Sequence, residues 1–256
     1  MSIFICKLLL TPVLIIIITM ITRRWGPVIG GCCTALPLSG GPITFFLAFE
    51  QGPEFGALAA RGSVMGMTGV VVFCIVYVRS STRFSWPPAA CITLACYFAT
   101  VEGLSRLPLD VAGSAILTLS LLTAALYLNG RQAGERITAS PPWWDIPLRM
   151  AAATALLIGL TGAASLLGPK YSGLLSVFPV FVSVMMVFNH KQYGPQATRK
   201  LAHGIMFGLY APIGFFVILA CCMRDIGLAE VYLLASACCA LLSFCALKVI
   251  SRFQLA

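Results

Sequence analysis

The chain has 256 residues, of which 59% are hydrophobic and 10% charged, and its formal net charge is +9. This composition excludes a soluble globular domain and predicts an all-α integral membrane protein. Basic cytoplasmic loops are typical of such proteins, so the positive charge gives no reason to expect a nucleic-acid partner.

Nine apolar stretches follow one another along the chain, and each approaches the roughly 20 residues that a helix needs to cross the hydrocarbon. They cover residues 3–22, 27–48, 57–78, 86–104, 111–129, 147–167, 171–189, 199–222 and 227–247. We therefore predict about nine transmembrane helices, called spans 1 to 9 in chain order, and little soluble structure.

The charges of the short loops predict the orientation of the spans. Arg23, Arg24 and Trp25 follow span 1 where a signal peptide would have a small-residue cleavage site, so we expect span 1 to be retained. With the N-terminus outside, 12 of the 17 basic residues fall on the inner side, as the positive-inside rule favours. We predict a bacterial inner (cytoplasmic) membrane protein whose C-terminus is cytoplasmic.

A repeat with an interval of 142 residues organises the sequence. Eight glycines and prolines recur at this interval and punctuate similar apolar segments. The pairs are Gly26 and Gly168, Pro27 and Pro169, Gly31 and Gly173, Pro37 and Pro179, Gly52 and Gly194, Pro53 and Pro195, Gly62 and Gly204, and Gly66 and Gly208. We predict two four-helix copies, residues 1–106 and 147–256, joined by a linking helix (span 5) and a polar linker within residues 107–146.

The two copies are predicted to face opposite ways, because an odd number of spans separates equivalent points. Arg23 and Arg24 precede the first Gly-Pro pair, whereas Ser165 and Leu166 stand at the equivalent positions. Conversely, the acidic outer loop 50–54 corresponds to the neutral segment 192–196, which basic residues flank. Inverted repeats are typical of secondary transporters.

Proline and glycine interrupt spans 2 and 7 at corresponding positions, which indicates a transport site at the midplane. Residues 36–42 carry two prolines and two glycines, so we predict a broken helix in span 2; Pro179 alone predicts a kink in span 7. The alternative is that both positions only permit packing kinks. The predicted substrate site consists of Pro37, Ser39, Gly40, Gly41, Thr44, Arg61, Pro179, Ser183 and His203.

Arg61 and His203 occupy equivalent positions in the two copies, and a glycine follows each of them. Ionisable groups inside a bilayer are costly and tend to face a cavity or a partner, so this pair would suit an anionic substrate or a proton-coupled step. The alternative is that both side chains reach towards lipid headgroups from near helix ends.

Metal, redox and enzyme chemistry have little support in the sequence. The 11 cysteines lie in or beside apolar spans without a C-x-x-C pair, and the two histidines are far apart in sequence, so we expect no metal and no cofactor. No nucleophile or phosphate-loop motif occurs, and we predict that the chain is not an enzyme. Two charge pairs at i,i+4 spacing, Glu102 with Arg106 and Asp145 with Arg149, are expected at helix ends.

The segment Gly173-Leu174, followed by residues 178–181, 194–208 and 210–216, resembles the GlpM-like family of small bacterial membrane proteins. Members of that family are units of about four helices with a Gly-Leu-x-x-x-Phe-Pro-x-Phe segment. The resemblance implies a duplicated and inverted version of such a unit. It is weaker in the first copy, where Leu36-Pro37-Leu38-Ser39 replaces the Phe-Pro-x-Phe pattern, and it implies no particular activity.

These observations favour a transporter that moves a small substrate, either anionic or lipid-linked, by alternating access. The alternative is a non-transporting subunit or assembly partner of a larger membrane complex, because ion-coupled transporters usually carry a deep carboxylate that this sequence lacks. The expected partners are membrane lipid, an unidentified small-molecule substrate, and either a second copy of the chain or another subunit.

Topology reporters fused within residues 50–54 and within residues 191–200 should report opposite sides of the membrane, because the repeat is inverted. The measurement is periplasmic against cytoplasmic reporter activity, with a fusion after Arg252 as the cytoplasmic reference. If both loops reported the same side, the two copies would be parallel.

Overall fold

A computed structural model of the chain describes residues 2–38, 40–129, 142–167 and 178–252, with side chains described from residue 10 onwards except at 161 and 163–167. These residues form ten α-helices and no strand. The helices are α1 (Ser2–Trp25), α2 (Pro27–Ala35), α3 (Gly40–Gln51), α4 (Pro53–Ser81), α5 (Trp86–Ser105), α6 (Val111–Asn129), α7 (Asp145–Leu167), α8 (Val180–Gly208), α9 (Tyr210–Cys222) and α10 (Leu228–Arg252).

Six helical segments in the described part of the chain are long and apolar enough to cross a membrane. They are Pro27–Gln51, Pro53–Ser81, Trp86–Ser105, Val111–Leu128, Val180–Cys222 and Leu228–Arg252. The predicted class, an all-α membrane protein that crosses the bilayer several times, is therefore confirmed.

Three Gly-Pro pairs bend the chain in the same way. Gly26, Gly52 and Gly194 have φ values of 91°, 93° and 78°, and a proline follows each of them. Proline disfavours helical backbone in the residue before it, and glycine reaches positive φ without a steric penalty. These pairs separate α1 from α2 and α3 from α4, and they bend α8 within its length.

Proline also explains where the helices begin, end or meet within three of the predicted spans. The predicted break in span 2 is present, because α2 ends at Ala35 and α3 begins at Gly40. At Pro179, where a kink is predicted, φ and ψ are non-helical at −81° and 72°, and α8 begins after it; the part of span 7 before Phe178 lies outside the described residues. Helices α8 and α9 meet at Leu209, whose φ and ψ of −65° and −21° stay helical, and the one hydrogen bond that Pro212 cannot donate there is that to the carbonyl of Gly208.

The loop expected between spans 7 and 8 is another difference. Helical structure runs through this segment from Val180 to Gly208, and only Gly194 departs from helical φ and ψ. The charges of residues 191–200 therefore flank a sharp bend at Gly194, at which the two helical halves of α8 meet without an intervening loop.

Helix α2 and the second half of α8 are in direct backbone contact. A Cβ atom added to Gly204 would lie 2.0 Å from the carbonyl oxygen of Val28, and one added to Gly31 would lie 2.3 Å from that of Leu201. The Sγ of Cys32 also donates to the carbonyl oxygen of Gly204 at 3.1 Å. Small residues allow this approach, as is typical of tightly packed helices in membranes.

The Gly-Pro pairs at 52 and 194 lie at opposite ends of α4. Gly52 immediately precedes α4, which is about 43 Å long at 1.5 Å per residue. Near the other end of α4, the hydroxyl of Tyr77 lies 3.5 Å from Nδ1 of His190, about one helical turn before Gly194. Equivalent positions of the two sequence copies are thus far apart along the helix axis.

A buried ion-pair network joins α1, α7 and α8 near the bend of α8. The carboxylate of Asp145 accepts hydrogen bonds from Arg23 at 2.6 Å, from Arg149 at 2.8 Å and from the side-chain amide of Gln192. Asp145 is fully buried and the Arg149 side chain is 3% exposed. The sequence indicated the pair with Arg149, whereas the contacts with Arg23 and Gln192 come from the tertiary structure.

Replacing Gly204 with Ala should destabilise the protein by about 1–3 kcal/mol, because the new methyl group would overlap the backbone of α2. Gly62 is the matched control, since it is the equivalent residue of the first copy, is exposed, and has no described atom within 4 Å of an added Cβ. The measurement is the free energy of unfolding in mixed micelles titrated with dodecyl sulfate. Equal effects of Gly204→Ala and Gly62→Ala would contradict the packing described above.

Replacing Asp145 with Asn should cost about 3–5 kcal/mol, because the arginine cations would lose their buried counter-charge. Arg106→Gln is the control: it removes the partner of Glu102 from a pair in which the arginine is 73% exposed, and such pairs contribute about 0.2–1 kcal/mol. The same titration measures both variants. A similar small effect for the two would show that Asp145 does not hold the three helices together.

Candidate functional site

The break between α2 and α3 borders a cavity of about 710 Å³. One wall is formed by the break and the first turns of α3, and the other by α10 together with one residue of α9. The lining residues are Leu36, Pro37, Leu38, Gly41, Pro42, Phe45, Phe46, Phe215, Tyr232, Ser236, Cys239, Ala240 and Ser243. Its volume is within the range of small-molecule sites.

The cavity is mainly apolar and carries a few polar groups along one helix. None of the described residues that line it is charged. Tyr232 donates a hydrogen bond to the carbonyl oxygen of Gly41 at 3.3 Å, which connects α10 to the helix break. The hydroxyl of Ser243 is occupied by the carbonyl of Cys239 at 2.7 Å. Such a lining suits a ligand with a large apolar part and few polar atoms.

Aromatic rings hold the hydroxyl of Tyr232 in place. The ring of Tyr232 packs edge-to-face against Phe45 of α3, with centroids 5.1 Å apart, and against Phe215 of α9 at 5.9 Å. Three helices therefore fix the side chain that reaches the break. The edge-to-face contacts contribute packing energy and also restrict the orientation of the Tyr232 ring. The position of its hydroxyl is therefore preorganised.

The structure brings part of the predicted substrate site together. Pro37 and Gly41 line the cavity. Gly40 lies beside the ring of Phe216, whose nearest atom would be 2.9 Å from an added Cβ, and buried Thr44 donates to the carbonyl oxygen of Gly40 at 2.7 Å. Ser39 lies outside the described residues.

The remaining predicted residues do not line this cavity. Ser183 donates to the carbonyl oxygen of Pro179 at 2.9 Å, which is a bond within its own helix start. Arg61 donates to the carbonyl oxygen of Leu109 in the connection between α5 and α6. Because α4 begins near one face and α8 bends near the other, Arg61 and His203 do not converge on one charged site.

His203 is nevertheless unusual. Its side chain is 3% exposed, and neither ring nitrogen has a hydrogen-bond partner among the described residues. The imidazole packs against the ring of Phe207, with centroids 4.9 Å apart. It is therefore held by apolar packing on α8 and does not face the cavity at the helix break.

Sequence reasoning missed the α10 wall of the cavity. Tyr232, Ser236, Cys239 and Ser243 recur at intervals of four, three and four residues, so they occupy one face of α10. This spacing is visible in the sequence. A row of hydroxyl-bearing and small residues on one face of an apolar span predicts that this face packs against protein and not against lipid.

Among the described residues, no three His, Cys, Asp or Glu side chains lie close enough together to hold a metal ion. Comparison of the chain with descriptions of known protein families, with curated protein sequences and with solved structures found no match.

Proposed function

We propose that the chain is a nine-span inner-membrane transporter, built from two inverted copies, that moves a small lipid-like or lipid-linked substrate by alternating access. The observation that carries the proposal is the apolar cavity at the broken helix α2/α3. Broken helices are the usual place of substrate sites in transporters built from inverted repeats. The lining of this cavity favours the lipid-linked substrate over the anionic one, because none of its described residues is charged.

Helix boundaries that recur at the interval of 142 residues support the duplication. Gly52 precedes α4, and Gly194, the equivalent residue, bends α8; both have positive φ. Helices α5 and α10 begin at equivalent positions, Trp86 and Leu228. The inversion is supported by the position of the two Gly-Pro pairs at opposite ends of α4.

The lengths of the helices support nine crossings. The segment Val180–Cys222 has 43 residues and bends at Gly194, which is enough for two crossings of about 20 residues each. Helices α1 and α7 have 24 and 23 residues and contain little charge beyond their ends. With the five other spans, these elements give the nine crossings of the proposal, and the duplicated unit is the one that resembles the GlpM-like family.

Alternating access requires a helix element that can change its position on one side of the site. Among the described residues, backbone hydrogen bonds at the break between α2 and α3 run from Leu38 to Leu36 and from Gly41 to Pro37. Helix α2 is fixed against α8, so α3 is the part of the broken span that can move relative to α10. The hydrogen bond from Tyr232 to Gly41 would close the site in one state.

The second candidate function, a non-transporting subunit, is favoured by one observation. The most deeply buried carboxylate among the described residues, Asp145, is bound to two arginines and lies in a structural network. It is therefore not available to bind a coupling ion. Gentle extraction from native membranes separates the two candidates, since a stoichiometric heteromeric partner would support the subunit and a lone protein or homo-oligomer the transporter.

A cysteine at position 236, in a variant whose native cysteines are replaced, should react with a membrane-impermeant thiol reagent from both sides of the membrane. Alternating access would open the cavity to each side in turn, so Ser236→Cys should label in right-side-out and in inside-out vesicles. The measurement is the labelled fraction against time in each preparation.

Leu241→Cys is the matched control on the same helix, because Leu241 is exposed like Ser236 but does not line the cavity and should stay in lipid. It should not label from either side. Labelling of position 236 from one side only, or from neither side, would contradict alternating access at this cavity.

A further inference from the structure

A second groove, of about 510 Å³, lies on the outer surface of the helix bundle and shares no lining residue with the cavity at the helix break. It runs between the C-terminal end of α1, helix α2 and the C-terminal part of α10. Its walls are mostly apolar side chains, among them Ile21, Ile29, Phe244 and Leu247. Its polar end is formed by Lys248 and Ser251, which lie three residues apart on one face of α10.

The polar end of the groove has an uncompensated positive charge. The ammonium group of Lys248 lies over the ring of Phe244, 5.0 Å from its centroid, and no carboxylate among the described residues forms an ion pair with it. Arg24 stands next to the lining residue Trp25, and Arg252 stands next to Ser251. The groove thus ends where two helices bring their basic last turns together.

Trp25 marks this end of the groove as the membrane surface. Its indole is 56% exposed and lines the groove, and tryptophan is enriched where a bilayer meets water. Lysine side chains likewise place the ammonium group at the headgroup level while their methylene groups stay in the apolar region. The groove therefore extends from the headgroup level into the hydrocarbon.

We propose that this groove binds one anionic phospholipid, with an acyl chain along Ile29 and Phe244 and the phosphate on the ammonium group of Lys248. The hydroxyl of Ser251 donates to the carbonyl oxygen of Lys248 at 2.9 Å and is therefore not counted as a ligand. The apolar walls fit a hydrocarbon chain, and the unpaired ammonium supplies the charge that an anionic headgroup needs. In the orientation that the basic loops predict, this end lies on the cytoplasmic side, where the anionic lipids of a membrane attract basic groups. A neutral transmembrane helix of another protein would fill the walls but leave Lys248 without a counter-charge. The site is independent of transport.

Quenching of Trp25 by brominated lipids tests the site. In a variant with Trp86, Trp143 and Trp144 replaced by Phe, Trp25 is the one remaining tryptophan and is excited selectively at wavelengths that tyrosine does not absorb. Phe at position 86 keeps a ring face for Lys191, whose ammonium lies 5.6 Å from the ring centroid of Trp86. The protein is reconstituted into phosphatidylcholine bilayers with the same mole fraction of brominated phosphatidylglycerol or brominated phosphatidylcholine. Brominated phosphatidylglycerol should quench the fluorescence of Trp25 more strongly than brominated phosphatidylcholine does.

Lys248→Gln should lower this preference by about fivefold, which corresponds to about 1 kcal/mol for one basic residue at the membrane surface. Lys248→Arg should retain the preference, and Arg224→Gln, an exposed arginine in the turn between α9 and α10, should leave it unchanged. Gel filtration of each variant shows whether it is folded. Equal quenching by the two lipids, a preference that survives Lys248→Gln, or no quenching by either lipid would overturn the proposal.

Discussion

The backbone contact between α2 and α8 is the constraint on which the rest of the structure depends. Gly31 and Gly204 allow the two helices to approach until carbonyl oxygens face glycine hydrogens, and any side chain at either position would separate them. The contact joins the first sequence copy to the second. Because hydrophobic burial gives little preference for one helix pair over another inside lipid, such close packing decides which helices are neighbours.

The fixed position of α2 explains the cavity. With α2 held against α8, helix α2 ends at Ala35, the chain passes Pro37, and helix α3 begins at Gly40. The new direction opens space between α3 and α10, and aromatic residues from α3, α9 and α10 line this space. The Asp145 network has a different role: it fixes α1 and α7 to α8 near the bend at Gly194 and lies apart from the cavity.

Much of the fold could be predicted because glycine and proline act locally. Proline removes a backbone donor wherever it stands, so the Gly-Pro pairs and the break after Ala35 follow from sequence alone. Pro179 is a different case. One proline in an apolar segment is compatible with a kink or with a helix start, and the sequence alone does not distinguish these two structures. In the same way, a basic pair such as Arg23 and Arg24 indicates the side of the membrane but not the carboxylate that it binds.

The candidate site was predictable only in part. By itself, the sequence determined the membrane class, the apolar helical segments, the helix ends at Gly-Pro pairs and the break at Pro37, because these depend on hydropathy and on backbone properties of single residues. Only the tertiary structure decided that α10 forms the second wall of the cavity, that Arg61 and His203 lie apart, and that Asp145 binds Arg23. These contacts join residues distant in the chain, and they depend on helix packing in three dimensions, which one-dimensional spacing does not encode.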